Sequence, residues 1–421
     1  TNYNDTALNA NPNYFNKSVA PNKSENMNVG ASLGGRLLRN RTFFFGTVER
    51  LDITRVESPS TTAVVPSVAF RGGDFSSLPT AVIDPSTGQP FPGNRIPASR
   101  ISPVAAALLN TYIPAPNEGT NTYRYAIDGT ETSNQFDVRL DQNFTQGHTA
   151  FARLSWKNLD RVSPTTYPSL GPRAFENPTR TFVASDNLAI TPNLLNEFRI
   201  GFTSADQGAV TSKRGVAMTQ ELGLRLLSTN PPNVTGTPSI AIAGFTTLGE
   251  SQEEPLTQDL FQVANNVTWT TGHHSFKAGA DVKWFNWTSP VNFTGADDFG
   301  VFRFNNNLAG GGTGQPFANF LLGLPTDVDQ TASGPNVDGV ARHYGFFLQD
   351  EWRLNPKVTL SLGVRYELRP GFEDREGNIS NFLRNTPNGD VVVPDEASKQ
   401  LTAPGFAGSI GTTRIVTAAE A

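Results

Sequence analysis

YGFFLQDEWRLNPKVTLSLGVRYEL, residues 344–368, reads as two β-strands joined by a four-residue turn. Counted in steps of two, one face is apolar, and it carries Tyr344, Phe346, Leu348, Trp352, Val358, Leu360, Leu362, Val364, Tyr366 and Leu368. The opposite face is mostly polar, and it carries Phe347, Gln349, Glu351, Arg353, Thr359, Ser361, Arg365 and Glu367. A soluble sheet covers a core with its apolar face, whereas a membrane barrel turns that face to lipid and its charges to the lumen. The hairpin alone leaves both structures open.

The same alternation recurs in four further hairpins, which brings the expected number of strands to about ten or more. Their tight turns are predicted at residues 39–41, 146–147, 191–193 and 271–273. The charged side chains fall on the less apolar face of nearly every strand. In the barrel interpretation they line the lumen, and they are Arg139, Asp141, Arg199, Lys277, Asp281, Lys283, Glu351, Arg365 and Glu367.

The segments between the hairpins are long and rich in Pro, Gly, Thr and Asn, and they cover about 51–133, 157–180, 203–259 and 288–342. Each exceeds the dozen or so residues at which loops become unusual in a compact domain. Short turns at one end and long loops at the other are typical of outer-membrane barrels, whose turns are periplasmic and whose loops are extracellular. The pattern therefore predicts an all-β fold, an antiparallel transmembrane β-barrel.

The aromatic side chains in the segment 344–368 favour the same fold. Tyr344 and Tyr366 lie near the loop ends of their strands, and Trp352 lies beside the turn on the same face. Eight residues of a strand tilted by about 40° place Tyr344 and Trp352 roughly 20 Å apart along the membrane normal. That separation fits an aromatic belt at each membrane interface, so the apolar face is expected to meet lipid.

Composition excludes several classes of function. Apolar residues make up 37% of the chain, mean hydropathy is −0.33, and the formal charge of −5 comes from mixed signs without a basic stripe, so nucleic acid is not an expected partner. The absence of cysteine excludes disulfides, thiolate zinc sites and cysteine nucleophiles. No run reaches the length of a transmembrane helix, and the best helical candidate is the short segment Ser102–Tyr112.

No motif for catalysis stands out, so the chain is predicted not to be an enzyme. His148, His273 and His274 fall on tight turns, and with His343 they show no metal-ligand spacing. The glycine run 309–317 lacks the Lys-Ser/Thr of a phosphate loop and is predicted to be a flexible loop. We therefore expect no catalytic residue, no cofactor-binding residue and no metal site, while calcium in the acidic loops stays open.

Several blocks resemble TonB-dependent outer-membrane receptors, especially the Oar-like group, whose members carry a carboxypeptidase-regulatory-like domain. Besides residues 344–368, they are GASLGGRLLRNRTFFFGTVE (30–49), RGGDFSSLP (71–79), DPSTGQPFPGNRIPASRISPVAAALLNTYIPAPN (84–117), GHHSFKAGADVKW (272–284) and FANFLLGLP (317–325). The resemblance implies a barrel of about 22 strands in the bacterial outer membrane, plugged from the periplasmic side. It also implies import of a bulky ligand, a siderophore, glycan, peptide or protein, with energy from the inner-membrane TonB complex.

The chain departs from a complete receptor of that kind, since no plug, TonB box or regulatory domain is recognisable in it. Residues 1–25 are expected to be the approach from a plug, 26–385 the barrel segment, and 386–421 an irregular loop or truncated continuation. Part of a barrel leaves unpaired edge strands, so we expect either a curved open sheet or an undersized closed barrel. Expected partners are outer-membrane lipid, the TonB system through the plug, and an unknown extracellular ligand.

A second interpretation stays open from the residues alone. A secreted or surface-exposed β-sheet adhesin or carbohydrate-binding protein would share the strands and the aromatic residues. Its exposed face would be the charged one, and it would have no aromatic belt.

Overall fold

The computed structural model describes residues 2–4, 24–56, 61–125, 128–163, 165, 167–210, 218–224, 236–249, 256–289, 300–308, 311–329, 337–377, 379–400, 402 and 406–421. Most of the predicted approach segment 1–25 lies outside these residues. In the described part of the chain, no helix is long and apolar enough to span a membrane.

The described strands are β1 (Asn2–Asn4), β2 (Ser24–Leu38), β3 (Thr42–Val56), β4 (Thr61–Val64), β5 (Thr122–Tyr125), β6 (Asp128–Thr145), β7 (His148–Ser163), β8 (Arg173–Glu176), β9 (Thr179–Thr191), β10 (Leu194–Gln207), β11 (Ala209–Val210), β12 (Ser239–Ile242), β13 (Leu256–Thr271), β14 (His274–Ser289), β15 (Val301–Phe304), β16 (Asp327–Asp329), β17 (Val337–Asn355), β18 (Val358–Leu368), β19 (Glu373–Asp374), β20 (Asn381–Leu383), β21 (Asp390–Val393) and β22 (Arg414–Thr417). The described α-helices are α1 (Val68–Arg71), α2 (Pro103–Thr111), α3 (Met218–Glu221), α4 (Pro316–Leu321), α5 (Glu396–Gln400) and α6 (Phe406–Ser409). Short 3-10 helices span Pro92–Asn94, Ala98–Arg100 and Pro168–Leu170.

One antiparallel sheet, to which fourteen of the described strands belong, dominates the structure. Its path runs β1-β2-β3-β6-β7-β9-β10-β13-β14-β17-β18, and the short strands β8, β11 and β19 pair beside it. Neighbours along the path follow each other in the chain, as hairpins joined end to end require. In the described residues β18 does not pair back to β1 or β2, so of the two forms expected for the isolated chain the structure shows the open sheet.

The five tight turns lie where the sequence predicts them. In the hairpin of residues 344–368, the pairs include Tyr344 with Leu368 and Leu348 with Val364, so the apolar positions of both strands share one face. This face is open rather than packed, since Leu348 is 54% exposed and Val364 66%. The turn at 39–41 is closed by the Arg41 amide donating to the Leu38 carbonyl at 3.1 Å. Asn40 adopts the left-handed φ of 59° that asparagine tolerates.

The strands run several residues further into the loops than the alternation indicates. The longest connections span 57–127, 164–178, 208–255 and 290–336, and we call them loops 1 to 4. Beyond the aromatic residues the apolar face turns polar, as where Asp52 of β3 pairs with Thr132 of β6. Backbone pairing continues there although the side-chain pattern that reveals a strand has ended.

The hydrophobic core lies in the loops and not in the sheet. The fully buried apolar side chains include Phe75 and Leu108 of loop 1, Tyr167 of loop 2, Met218 of loop 3 and Phe317 of loop 4. We call the described residues of loops 1 to 4 that share this core the loop cap. The predicted helix at Ser102–Tyr112 is confirmed as α2, which buries Ala105, Leu108 and Leu109 in the cap.

The prediction that the glycine run 309–317 is a flexible loop is wrong for its described residues. Thr313 is fully buried, and its hydroxyl donates to the carbonyl of Gln315 at 2.8 Å. The Asn319 amide oxygen accepts from the Thr313 backbone N–H at 2.8 Å and holds the segment against α4. A Cβ on Gly312 would lie 3.0 Å from the Asn319 amide oxygen, so the glycine there permits this close approach.

Residues 386–421, expected to be an irregular loop or a truncated continuation, contain short strands and helices. β21 pairs antiparallel with β20 and parallel with β22 in a separate three-stranded sheet, and α5 and α6 belong to the same segment. Arg414 makes two hydrogen bonds to the Asp390 carboxylate across the parallel pair, at 3.0 and 2.7 Å.

Candidate functional site

The polar face of the main sheet brings the predicted charges into register. One row of register partners starts at Asp141 of β6 and crosses β7 and β9 to reach Arg199 of β10. Arg199 is paired in turn with Ala264 of β13. The same row continues with Asp281 of β14 and reaches Glu367 of β18 through β17. The other predicted charges lie on the same face of their strands, since residues two apart on a strand share a face. They are Arg139, Lys277, Lys283, Glu351 and Arg365.

Charges of opposite sign neutralise one another along this face. The ion pairs of the described residues there include Arg139–Asp141 at 2.7 Å, Arg153–Asp137 at 2.6 Å, Lys283–Asp281 at 3.3 Å and Arg365–Glu367 at 2.5 Å. Pairs such as Arg139–Asp141 join neighbours two apart on one strand, whereas Arg153–Asp137 joins adjacent strands. The face is therefore a hydrophilic wall of mixed sign. No three His, Asp or Glu side chains of the described residues come together as a possible metal site.

The four loops of the cap are joined by main-chain hydrogen bonds as well as by their core. Loop 1 meets loop 4 where the Ser102 amide donates to the Leu321 carbonyl at 2.7 Å. Loop 1 meets loop 3 where the Thr246 amide donates to the Val64 carbonyl at 2.9 Å. Loops 3 and 4 share the parallel pair β12–β15. The cap is therefore one folded unit at the loop end of the strands.

Loop 2 is anchored to the same unit by hydroxyl groups. The Tyr167 hydroxyl donates to the Thr246 carbonyl of loop 3 at 2.8 Å, and burial raises the pKa of this phenol. Ser169 donates to the carbonyl of Tyr112 in loop 1 at 2.6 Å. Tyr125 of loop 1 in turn donates to the carbonyl of Thr165 in loop 2.

Phenylalanine rings from three loops form the centre of the cap. Phe317 of α4 lies 5.2 Å from Phe245 of loop 3 and 6.4 Å from Phe75 of loop 1, measured between ring centroids. Phe70 lies 4.7 Å from Phe75, and Phe320 lies 5.5 Å from Phe317. The blocks RGGDFSSLP and FANFLLGLP thus meet in space although they belong to loops 1 and 4.

Arg71 organises the polar side of this core. Its guanidinium donates to the carbonyls of Leu109 at 2.5 Å, Ile113 at 2.8 Å and Pro114 at 3.2 Å, which closes the C-terminal end of α2. Burial lowers the pKa of the Arg71 guanidinium. Gly73 follows with φ of 79°, and a Cβ there would lie 2.7 Å from the Ile96 carbonyl oxygen, so a glycine is required at this approach.

Two histidine–aspartate pairs were missed by sequence reasoning, which assigned these histidines to turn surfaces. His148 and His274 are the first residues of β7 and β14, and each ring contacts an aspartate on the next strand of the sheet. His148 Nε2 lies 2.6 Å from Asp186 Oδ1, and His274 Nδ1 lies 2.7 Å from Asp350 Oδ2. The partners are 38 and 76 residues apart in the chain, and a residue pattern does not show which strands are neighbours.

The family comparison matches residues 2–418 to the outer membrane beta barrel domain. No curated protein matches the chain. Among solved structures, the outer membrane transporter YddB from Escherichia coli is 10% identical, with a TM-score of 0.44, over 82% of this chain and 34% of that one. A mutant of the ferric enterobactin receptor PfeA from Pseudomonas aeruginosa is 13% identical, with a TM-score of 0.39, over 85% of this chain and 38% of that one. The chain therefore spans well under half the length of these two proteins.

Family, sheet and exposure agree on how the faces are oriented. The antiparallel sheet has an exposed apolar face, a charged face, short turns at one end and long loops at the other, as a bacterial outer-membrane barrel requires. The apolar face is the surface toward lipid, and the charged face is the lumenal wall. The chain belongs to the outer-membrane β-barrel domain family.

Proposed function

We propose that this chain is part of the barrel of a TonB-dependent receptor of the Oar-like group, which imports a bulky ligand with energy from the inner-membrane TonB complex. The observation that carries the proposal is the lumenal wall, which holds charges of both signs on one face of the sheet from Asp141 on β6 to Glu367 on β18. A wall of this kind keeps water and a polar partner inside the barrel. The sequence blocks quoted above add the resemblance to the receptor family.

The loop cap supports a role in receiving a ligand at the cell surface. Four loops that share one core present a preformed surface, so a ligand meets a folded unit instead of ordering four separate segments. The ligand class stays open among siderophore, glycan, peptide and protein. A surface adhesin would use the same cap without transport, and it is the second candidate that a test has to separate.

The test uses the whole gene product, purified from outer membranes and inserted in planar lipid bilayers. We expect no steady conductance in buffer, because a plug fills the lumen, and large reversible conductance steps when urea on the periplasmic side unfolds the plug. An open channel without urea would indicate a porin. A protein that stays closed in urea while its barrel remains folded would indicate an adhesin and would overturn the proposal.

A further inference from the structure

A hollow interrupts the lipid-facing surface of the sheet on β7 and β9. Its floor is made by Ala150, Ala152 and Ala184, and register places Ala152 opposite Ala184 and Ala150 opposite Asp186. Larger side chains on the neighbouring strands, Leu140 of β6 and Phe198 and Ile200 of β10, form its walls. The hollow has a volume of about 370 Å³, which lies in the range of small-ligand pockets.

The hollow is polar at its turn end and apolar beyond it. Asp186 stands at the turn end, beside His148, which is the first residue of β7. One carboxylate oxygen, Oδ1, contacts His148 Nε2, while Oδ2 accepts no hydrogen bond from the described residues. The Asp186 side chain is 38% exposed, so the carboxylate is within reach of a ligand.

The neighbouring polar group does not compete for that ligand. The Gln142 amide oxygen accepts from the Thr42 hydroxyl at 2.7 Å, and its NH₂ group donates to the Asn143 carbonyl at 3.1 Å. The Asp186 carboxylate is therefore the anionic group at the rim, and one of its two oxygens is not engaged by the described residues. Its negative charge favours a protonated amine and disfavours a bare phosphate.

We propose that this hollow binds a phospholipid with a primary amine in its headgroup, of the phosphatidylethanolamine class, from the periplasmic leaflet. The ammonium group donates to Asp186, and an acyl chain lies over Ala150, Ala152 and Ala184. The direction of the hollow matches such a lipid, since its charged end lies toward the periplasmic turns and its apolar end toward the middle of the bilayer. His148 is a positioning residue that holds the carboxylate.

The second histidine–aspartate pair provides a control within the same chain. His274 pairs in register with Trp352, and Asp350 lies two residues before Trp352. In the same way, His148 pairs in register with Leu188, and Asp186 lies two residues before Leu188. Here the His274 ring stacks on Trp352 with centroids 5.2 Å apart. The Asp350 side chain is 20% exposed, and its Oδ1 is buried without a hydrogen-bond partner in the described residues. The Asp350 carboxylate is therefore less accessible to a lipid headgroup than that of Asp186.

The experiment measures which lipids stay bound to the protein after extraction from bilayers. The whole protein is reconstituted in vesicles of equimolar phosphatidylethanolamine, phosphatidylcholine and phosphatidylglycerol, and retained lipid is identified by native mass spectrometry. We expect phosphatidylethanolamine to be enriched about two- to fivefold, as an exposed ion pair allows. Phosphatidylcholine carries a cation without N–H donors and phosphatidylglycerol carries no cation, so neither is enriched.

Two variants test the two ends of the hollow, and heat-modifiable gel migration verifies that each remains folded. Asp186→Asn should remove the preference for phosphatidylethanolamine, and Ala184→Leu should lower retention of every lipid at this place by filling the hollow. Asp350→Asn should leave the preference unchanged. Equal retention of the three lipids by the unmodified protein, or an equal loss in Asp350→Asn and Asp186→Asn, would overturn the proposal.

The conductance test of transport does not depend on this result, so either proposal can fail alone.

Discussion

Phe75 and Phe317 lie with ring centroids 6.4 Å apart in the centre of the loop cap, although they belong to loops 1 and 4. Both rings are almost completely buried, whereas apolar side chains of the sheet such as Phe346 are 47% exposed. A membrane barrel turns its apolar residues to lipid and needs no dry interior. The chain therefore has two separate apolar systems, a lipid-facing surface on the strands and a buried core above them.

Phe317→Ala should unfold the cap and leave the barrel intact. The substitution leaves a cavity among the rings of Phe70, Phe75, Phe245 and Phe320, at a cost of about 3–5 kcal/mol to the free energy of unfolding of the cap. Hydrogen exchange of loops 1 to 4 in detergent should accelerate, while exchange in β13 and β14 should not change. Phe346→Ala is the control on the lipid-facing surface, and faster cap exchange in that variant would contradict the separation of the two systems.

Arg71→Lys should destabilise the cap although it keeps the positive charge. A lysine ammonium cannot reproduce the planar fork that serves the carbonyls of Leu109, Ile113 and Pro114. We expect a loss of about 1–3 kcal/mol, which is the cost of leaving a buried acceptor without a partner. Susceptibility of α2 to proteolysis in intact cells reports the change.

Arg95→Lys is the matched control for Arg71→Lys. Arg95 is 65% exposed and contacts Asp74 at 3.0 Å, so its effect should stay below about 1 kcal/mol. Equal effects of the two lysine variants would show that the carbonyl contacts of Arg71 contribute no more than a surface ion pair.

The cap should lose stability in acid through Asp84. The Arg100 guanidinium, which makes two hydrogen bonds of 3.0 Å to this carboxylate, together with Ser86 lowers the pKa of Asp84 from its ordinary value of 3.8 to about 2. A lowered folded-state pKa stabilises the fold above the unfolded pKa, and this contribution is lost as pH falls from about 4 toward 2.

The measurement for Asp84 is the thermal unfolding of the cap as a function of pH. Asp84→Asn should lower the unfolding temperature at pH 7 and flatten its dependence on pH between about 4 and 2. Asp74 is a second carboxyl whose pKa is lowered to about 2. Asp74→Asn should independently remove the part of the pH dependence that Asp74 contributes. An unchanged pH profile in Asp84→Asn would refute the assignment.

A pair of alanine-to-lysine variants tests the orientation of the sheet. Ala280 of β14 lies on the lipid-facing surface opposite Phe346, and Ala264 of β13 lies on the lumenal wall between Arg199 and Asp281. Lysine at position 280 should cost about 2–4 kcal/mol of folding free energy near the bilayer midplane. Lysine at position 264 faces water and the carboxylate of Asp281, so its cost should be small.

Urea titration of the protein folded in vesicles measures both alanine-to-lysine variants. A larger loss at position 264 than at 280 would mean that the charged face, and not the apolar one, points to lipid.

The lipid-facing and lumenal surfaces could be predicted from the residues because a strand has a period of two, and Leu348, Gln349 and Val364 reveal their faces without knowledge of their partners. The ends of the strands could not, since Asp52 and Thr132 continue the ladder after the apolar alternation has stopped. The segment 309–317 was misjudged for a related reason. A glycine-rich composition shows which backbone conformations a segment can adopt. Only the tertiary contacts of the segment show that Thr313 is buried.

The sequence by itself determined the turns, the two faces of the sheet and helix α2, because each of these is encoded by neighbours within a few residues. Only the tertiary structure decided that four loops share one core, that Arg71 closes α2, and that His148 and His274 each meet an aspartate on the next strand. Those contacts join residues far apart in the chain. Which distant segments meet depends on the order of strands in the sheet and on the fit of side chains in the cap, and a local pattern records neither.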